Sequence, residues 1–126
     1  MEFVKTDKAP KAVGPYSQAV KVGNTLFVSG QIALDPQTGK LVSDDIKEQT
    51  LRVLKNVEAI LKAAGFEKTD VVKVTIYTTE LEKFSEINQT YEEFFEGHKP
   101  ARATVGVAAL PLGAKVEIEV IAVKED

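Results

Sequence analysis

Apolar residues recur along this chain in two rhythms, one of period two and one of three to four, and the switches between them outline a fold. Residues 1–18 carry neither rhythm; Pro10, Gly14 and Pro15 interrupt them, and they read as irregular. Two short apolar runs follow, at 19–22 and 25–29. Gly23-Asn24 joins them, a two-residue link that predicts a β-hairpin. A third extended piece, 31–34, leads into Asp35-Pro36-Gln37-Thr38-Gly39, a turn by composition. The rhythm then changes. Ile46, Thr50, Val53, Leu54, Val57, Ile60, Leu61 and Ala64 repeat at helical spacing. Asp45 and Glu48 stand where a capping box opens such a helix, and Gly65 where a left-handed residue closes it. Arg52 falls outside the stripe, on the face expected to meet water.

A strand is predicted over 71–78, with Val72, Val74 and Ile76 on one side. A second helix spans 81–95 and buries Phe84, Ile87, Tyr91 and Phe95. After a break at 97–100 come two more strands, 103–107 and 115–123, separated by the turn Leu110-Pro111-Leu112-Gly113. The order is β-β-(β)-α-β-α-β-β, a single α+β domain over residues 1–126. Two helices cover only one face of such a sheet. In the last strand Val116, Ile118, Val120 and Ala122 point one way, and Glu117, Glu119, Ile121 and Val123 the other. That second face starts acidic and ends apolar, which predicts burial against another copy of the chain.

Composition narrows the chemistry. Of 126 residues, 44% are hydrophobic and 28% charged, a globular balance. There is no apolar run of membrane-spanning length and no signal-peptide core at the start, so the expected compartment is the cytoplasm. A net charge of −3 argues against a nucleic-acid partner bound through a general basic surface. With no cysteine and one histidine, His98, there is no thiolate nucleophile and no two-histidine metal scheme. His98 lies in a loop and is expected to face solvent. No phosphate-cradling glycine loop is present, and neither a metal nor an organic cofactor is expected.

A few polar residues sit where packing alone would not put them. Asn88 lies in the middle of the second helix's apolar stripe, either as a core amide or facing a pocket or subunit boundary. Glu117 and Glu119 share a strand face, solvated or enclosed. Arg102, one of only two arginines, follows Pro100-Ala101 at a strand entrance, as a surface ion-pair partner or a binding group. Ser29-Gly30 ends a strand at a residue without a side chain, which marks a bulge, a turn or a close approach to a ligand. Gly14-Pro15-Tyr16-Ser17 presents an aromatic ring, packed in a turn or set over a site.

Together these stretches resemble a known family. Pro100-Ala101-Arg102-Ala103-Thr104-Val105, then Leu110-Pro111, then Val116-Glu117-Ile118-Glu119, is similar to the C-terminal signature of the Rid (YjgF-type) family. Gly14-Pro15-Tyr16-Ser17-Gln18-Ala19, Val28-Ser29-Gly30-Gln31-Ile32 and Asn88-Gln89-Thr90-Tyr91 match its other motifs in order. The resemblance runs from Ala9 to Val123 and is to the branch that keeps the arginine. It implies a chorismate-mutase-like mixed sheet with two helices on one face, in a homotrimer with a pocket at each subunit boundary. The implied activity is hydrolysis of 2-imino acids, 2-iminopropanoate and 2-iminobutanoate, to 2-keto acids and ammonia. Pyridoxal-phosphate enzymes release such imines. By the same resemblance Arg102 holds the substrate carboxylate and Glu117 directs the attacking water. Ser29 and the Gly30 backbone line the pocket, Tyr16 enters from a neighbouring subunit, and Asn88 bonds near the substrate. Many relatives carry cysteine where this chain has Thr104: if that position acts through its backbone carbonyl, activity survives the exchange, and if a thiol serves a redox-controlled function, this chain lacks it. Two other activities described within the family compete: keto-acid binding without turnover, and RNA cleavage.

Overall fold

The computed structural model describes residues 1–125. Six strands form one sheet: β1 (Glu2–Val4), β2 (Ala19–Val22), β3 (Thr25–Gln31), β4 (Val71–Thr78), β5 (Ala101–Gly106) and β6 (Val116–Val123). Their spatial order is β1-β2-β3-β6-β4-β5. Only β4 and β5 run parallel, because the helix between them carries the chain back to the same end of the sheet. The helices α1 (Ile46–Ala63) and α2 (Phe84–Phe95) pack against one another and cover one face.

The stripe expected of α1 is buried along its whole length, from Ile46 to Ala64. Its start is fixed by Asp45, whose carboxylate accepts the Glu48 amide at 3.0 Å. Its end is fixed by Gly65 at φ 84°, after which the Phe66 amide turns back to the Leu61 carbonyl at 2.8 Å. Phe66 itself is fully buried, so the helix stop also places a large side chain in the core. Val116, Ile118, Val120 and Ala122 of β6 lie under the helices, as their alternation predicts.

Five expectations need correcting. Residues 1–18 are not wholly irregular: Glu2–Val4 pairs with β2, in a strand too short to show a rhythm. The piece at 31–34 is not a third strand of its own. Gln31 ends β3 beyond a bulge that starts after Val28, and Leu34 makes only an isolated bridge to Leu41. Val72 does not join Val74 and Ile76. A bulge between Val71 and Lys73 turns it outward at 45% exposure, and Val71 takes the core position. His98 does not face solvent freely: it is half-buried, and its Nε2 donates to the Val71 carbonyl at 2.7 Å. Arg52 is also half-covered, its Nε bonded to Asn56 Oδ1 at 3.0 Å.

The other sheet face carries no helix. Strand register places Phe3, Val20, Val22, Phe27, Ile121, Val123 and Val105 on it, together with Lys73, Thr75 and Tyr77. Phe3 is 67% and Phe27 48% exposed there. No helix among the described residues is long and apolar enough to cross a membrane.

Candidate functional site

Two cavities collect the candidate residues, and the sheet separates them. The larger, about 620 Å³, opens on the helix-free side and is lined by Tyr16, Ser29, Gly30, Ile32, Leu112 and Glu117, among others. Glu117 arrives there because β6 alternates, and Gly30 because the β3 bulge re-aims the strand beside it. The two fit closely. A methyl group on Gly30 would stand 2.5 Å from Glu117 Oε2 and 2.9 Å from its Cδ. The carboxylate therefore lies on the bare backbone at Gly30, where only glycine leaves room.

The surroundings of Glu117 alter its acidity. Burial raises its pKa above the ordinary carboxylate value, and the neighbouring Glu119 charge adds to the rise. Glu119 is tied down by Tyr77, whose hydroxyl donates to Oε1 at 3.0 Å. Ser29 donates its Oγ hydrogen to the Ser17 carbonyl at 2.6 Å, which pins the segment carrying Tyr16 to the bulge. Buried Gln18 holds the wall opposite: its amide donates to the carbonyls of Thr6 and Pro10 and accepts from the Thr6 amide at 2.7 Å. Tyr16, expected from a neighbouring chain, thus shares this cavity with Ser29, Gly30 and Glu117 of its own chain.

Arg102 is elsewhere. It pairs in register with Val74, so its side chain points to the helix face of the sheet. Its guanidinium carbon stands 4.9 Å from the Tyr91 ring centre and 5.3 Å from that of Phe84, both on α2. No carboxylate among the described residues pairs with it. Arg102, Asn88, Tyr91, Glu92, His98 and Lys99 line a second cavity of about 270 Å³. Asn88 Oδ1, Tyr91 OH and Thr104 Oγ1 are buried without any hydrogen-bond partner. A half-buried, unpaired cation sharing a cavity with the unsatisfied Tyr91 hydroxyl and Asn88 side chain is an arrangement suited to an anion.

Glu117 and Arg102 do not meet within one chain. Glu117 stands opposite Tyr77, and Tyr77 opposite Val105, three residues along β5 from Arg102. Two strand spacings and three residues put their Cα atoms about 14 Å apart, on opposite faces. The resemblance implied a pocket shared between subunits, but the sequence did not divide Glu117 from Arg102. Sequence reading also assigned Tyr91 and Phe84 only to the core. The phenol oxygen, one turn from Asn88 on a mostly apolar stripe, is the signal that marks Tyr91 out.

The comparisons bear on both halves. The profile of the Endoribonuclease L-PSP family matches residues 6–124. The chain belongs to this family. It is the Rid, or YjgF-type, family of the sequence motifs. A RutC family protein of Aquifex aeolicus is 56% identical to this chain, the match covering 98% of the chain and 100% of that protein. The mouse 2-iminobutanoate/2-iminopropanoate deaminase is 49% identical over 98% of this chain and 91% of its own length. The crystal structure of Escherichia coli TdcF with bound serine superposes with a TM-score of 0.95 at 43% identity, covering 99% of this chain and 100% of that one. These Rid/L-PSP relatives share the full extent of the fold, so both cavities fall inside the region of likeness.

Proposed function

We propose that the protein is an imine deaminase, hydrolysing 2-iminopropanoate and 2-iminobutanoate to the 2-keto acids and ammonia. The observation that carries this reading is Arg102: a guanidinium over two rings, with no ion-pair partner among the described residues, in a cavity shared with Asn88 and Tyr91, whose Oδ1 and OH are buried and unsatisfied. Its planar fork suits the carboxylate of a small 2-imino acid. The names of relatives such as the mouse deaminase support the same substrate class.

The two half-sites then act together only if copies of the chain adjoin. In this reading the helix-free face packs in a homotrimer, and Arg102 of one copy meets the Glu117 cavity of the next. Arg102 binds the carboxylate bidentately, with Thr104 contributing backbone and Asn88 its amide. Tyr16, Ser29 and the Gly30 backbone enclose the imine from the other side. Glu117, ionised, takes a proton from water as the water oxygen bonds to the C=N carbon and the π pair moves to nitrogen. Nitrogen is protonated, the C–N bond breaks, and ammonia leaves as the carbinolamine hydroxyl loses its proton to give the keto acid. The balance is one imine and one water to one keto acid and one ammonia. The mechanism requires neither metal nor organic cofactor, because the imine carbon is already electrophilic. Pyridoxal-phosphate enzymes of the cytoplasm supply such imines.

RNA cleavage, suggested by the family's name, suits the geometry less: Glu117 and Glu119 in the larger cavity repel a phosphodiester. The deciding assay couples a threonine dehydratase to this protein and follows keto-acid release against semicarbazide trapping of the imine. Faster release in its presence is expected. Keto-acid binding with no acceleration would leave a binding protein instead.

A further inference from the structure

We propose that Tyr91 is a ligand-binding residue whose hydroxyl donates a hydrogen bond to the carboxylate held by Arg102. This rests on the imine-deaminase reading and extends its site to a residue that looks, by position, like part of the core. Tyr91 is 8% exposed and sits on the buried stripe of α2 between Ile87 and Phe95. Its ring packs against Phe95 with centroids 4.8 Å apart. Phenylalanine would make those contacts equally well. The hydroxyl is the part that packing does not explain: it is buried and has no partner.

A buried phenol without an acceptor is costly, and such groups are rare unless something absent from the chain satisfies them. The position of Arg102 says what that is. Its guanidinium carbon lies 4.9 Å from the Tyr91 ring centre. A phenol oxygen stands about 2.8 Å from its own ring centre, which puts this hydroxyl about 5–6 Å from the guanidinium carbon. At ordinary N–H···O and O–H···O lengths, one carboxylate oxygen then accepts from both groups. Asn88, whose Oδ1 is likewise buried and unsatisfied, lines the same cavity as the cation. Desolvation raises the Tyr91 pKa, so the phenol keeps its proton and stays a donor at neutral pH. The ring and the hydroxyl have separate tasks: the face steadies the guanidinium, and the tip meets the ligand.

The test is Tyr91→Phe in the intact protein, with 2-oxobutanoate as the probe. Calorimetric titration should show affinity for 2-oxobutanoate falling at least about tenfold, the usual effect of losing a hydrogen bond to a charged acceptor. KM for the imine should rise in step. The melting temperature of the free protein should hold or increase, because an unsatisfied buried hydroxyl has been removed. Opposite movements of affinity and stability are what a purely structural tyrosine would not give. Unchanged affinity in Tyr91→Phe overturns the proposal, as does a loss of affinity accompanied by a lower melting temperature. Arg102→Ala separates this from the underlying reading. If wild type and Arg102→Ala bind 2-oxobutanoate equally, or neither binds it, the anion site itself is wrong. If wild type binds, Arg102→Ala does not, and Tyr91→Phe binds like wild type, only the role of Tyr91 falls.

Discussion

Gly30→Ala tests the placement of Glu117 without touching its charge. The added methyl would lie 2.5 Å from Glu117 Oε2, 2.9 Å from Cδ and 3.2 Å from Cγ. Ordinary non-bonded contact needs roughly 3.5 Å or more, so the carboxylate must move by about 1 Å. The moving atoms end a flexible side chain, so the fold yields at little cost. Gly30 is not among the positive-φ residues, so alanine fits its backbone, and the substitution gains about 0.4–1 kcal/mol from the unfolded state. Turning Glu117 off its rotamer costs about 0.5–1.5 kcal/mol. The two nearly cancel, and stability should change by no more than about 1 kcal/mol. Catalysis should not escape so lightly, because a misplacement of ~1 Å in a reacting group costs about a hundredfold. The expected result is kcat for imine hydrolysis down about a hundredfold in a protein that melts within a few degrees of wild type. The acid limb of the pH–rate profile should also shift to lower pH, as the displaced carboxylate regains solvent. A folded Gly30→Ala variant with wild-type kcat and wild-type KM would refute the reasoning that Gly30 seats a catalytic Glu117. A rise in KM alone would mean that the methyl obstructs substrate and leaves the carboxylate in place.

Further outcomes follow from the same geometry. Arg102→Ala should remove keto-acid binding and turnover, since losing a buried bidentate charge contact costs about 2–5 kcal/mol. Arg102→Lys should restore only part, because an ammonium lacks the fork; comparing kcat/KM across the three proteins checks this. Burial, reinforced by Glu119, raises the pKa of Glu117. The active form is the ionised one, so kcat/KM should be full above that pKa and fall as pH drops through it, with the midpoint displaced upward from that of an unperturbed glutamate. A pH–rate profile checks this, and Glu117→Gln should lose activity at every pH. Light scattering should give three times 13.7 kDa for wild type. Phe27→Lys, placing a charge on the helix-free face, should give a smaller species that keeps its helical circular dichroism and loses hydrolysis.

How much of this was legible beforehand depended on whether the signal was local. Helix α1 was, because a cap, an unbroken apolar stripe and a glycine stop all lie within its own residues. The alternation of β6 likewise announced two faces and the acidic start of one of them. Bulges were not legible. The exposed Val72 and the turned strand end at Ser29-Gly30 arise from pairing with β6, which is far away in sequence. β1 was missed because three residues contain too little periodicity. His98 was misplaced because its acceptor, the Val71 carbonyl, comes from β4, 27 residues away in the chain. In the site, residue types pointed to Arg102, Asn88, Ser29, Gly30 and Glu117, but their division between two faces needed strand order and register. Tyr91 was hidden by its own ring, which fits an apolar stripe so well that the hydroxyl went unweighed.

That division gives the helix-free face a second meaning. An apolar face carrying Phe3, Phe27 and Val105 would by itself indicate only a surface in need of cover. Here the same side opens onto Glu117, whereas Arg102 points to the helix side from the edge strand β5. Self-association that only hid the apolar residues, keeping both cavities apart, would leave an anion site without a base and a base without an anion site. The proposed chemistry requires more of the contact. The β5 edge of one copy must come against the Glu117 cavity of another, so that substrate carboxylate and attacking water are gripped from two chains. In a closed cyclic arrangement each copy supplies one half-site to each neighbour, and no half is left over. Mixing Arg102→Ala with Glu117→Gln protein under subunit exchange isolates this point. Neither variant should hydrolyse imine alone. Mixed oligomers should recover activity, because some boundaries then pair an intact Arg102 with an intact Glu117. Independent sites within single chains would recover nothing, since every chain in the mixture carries one defect.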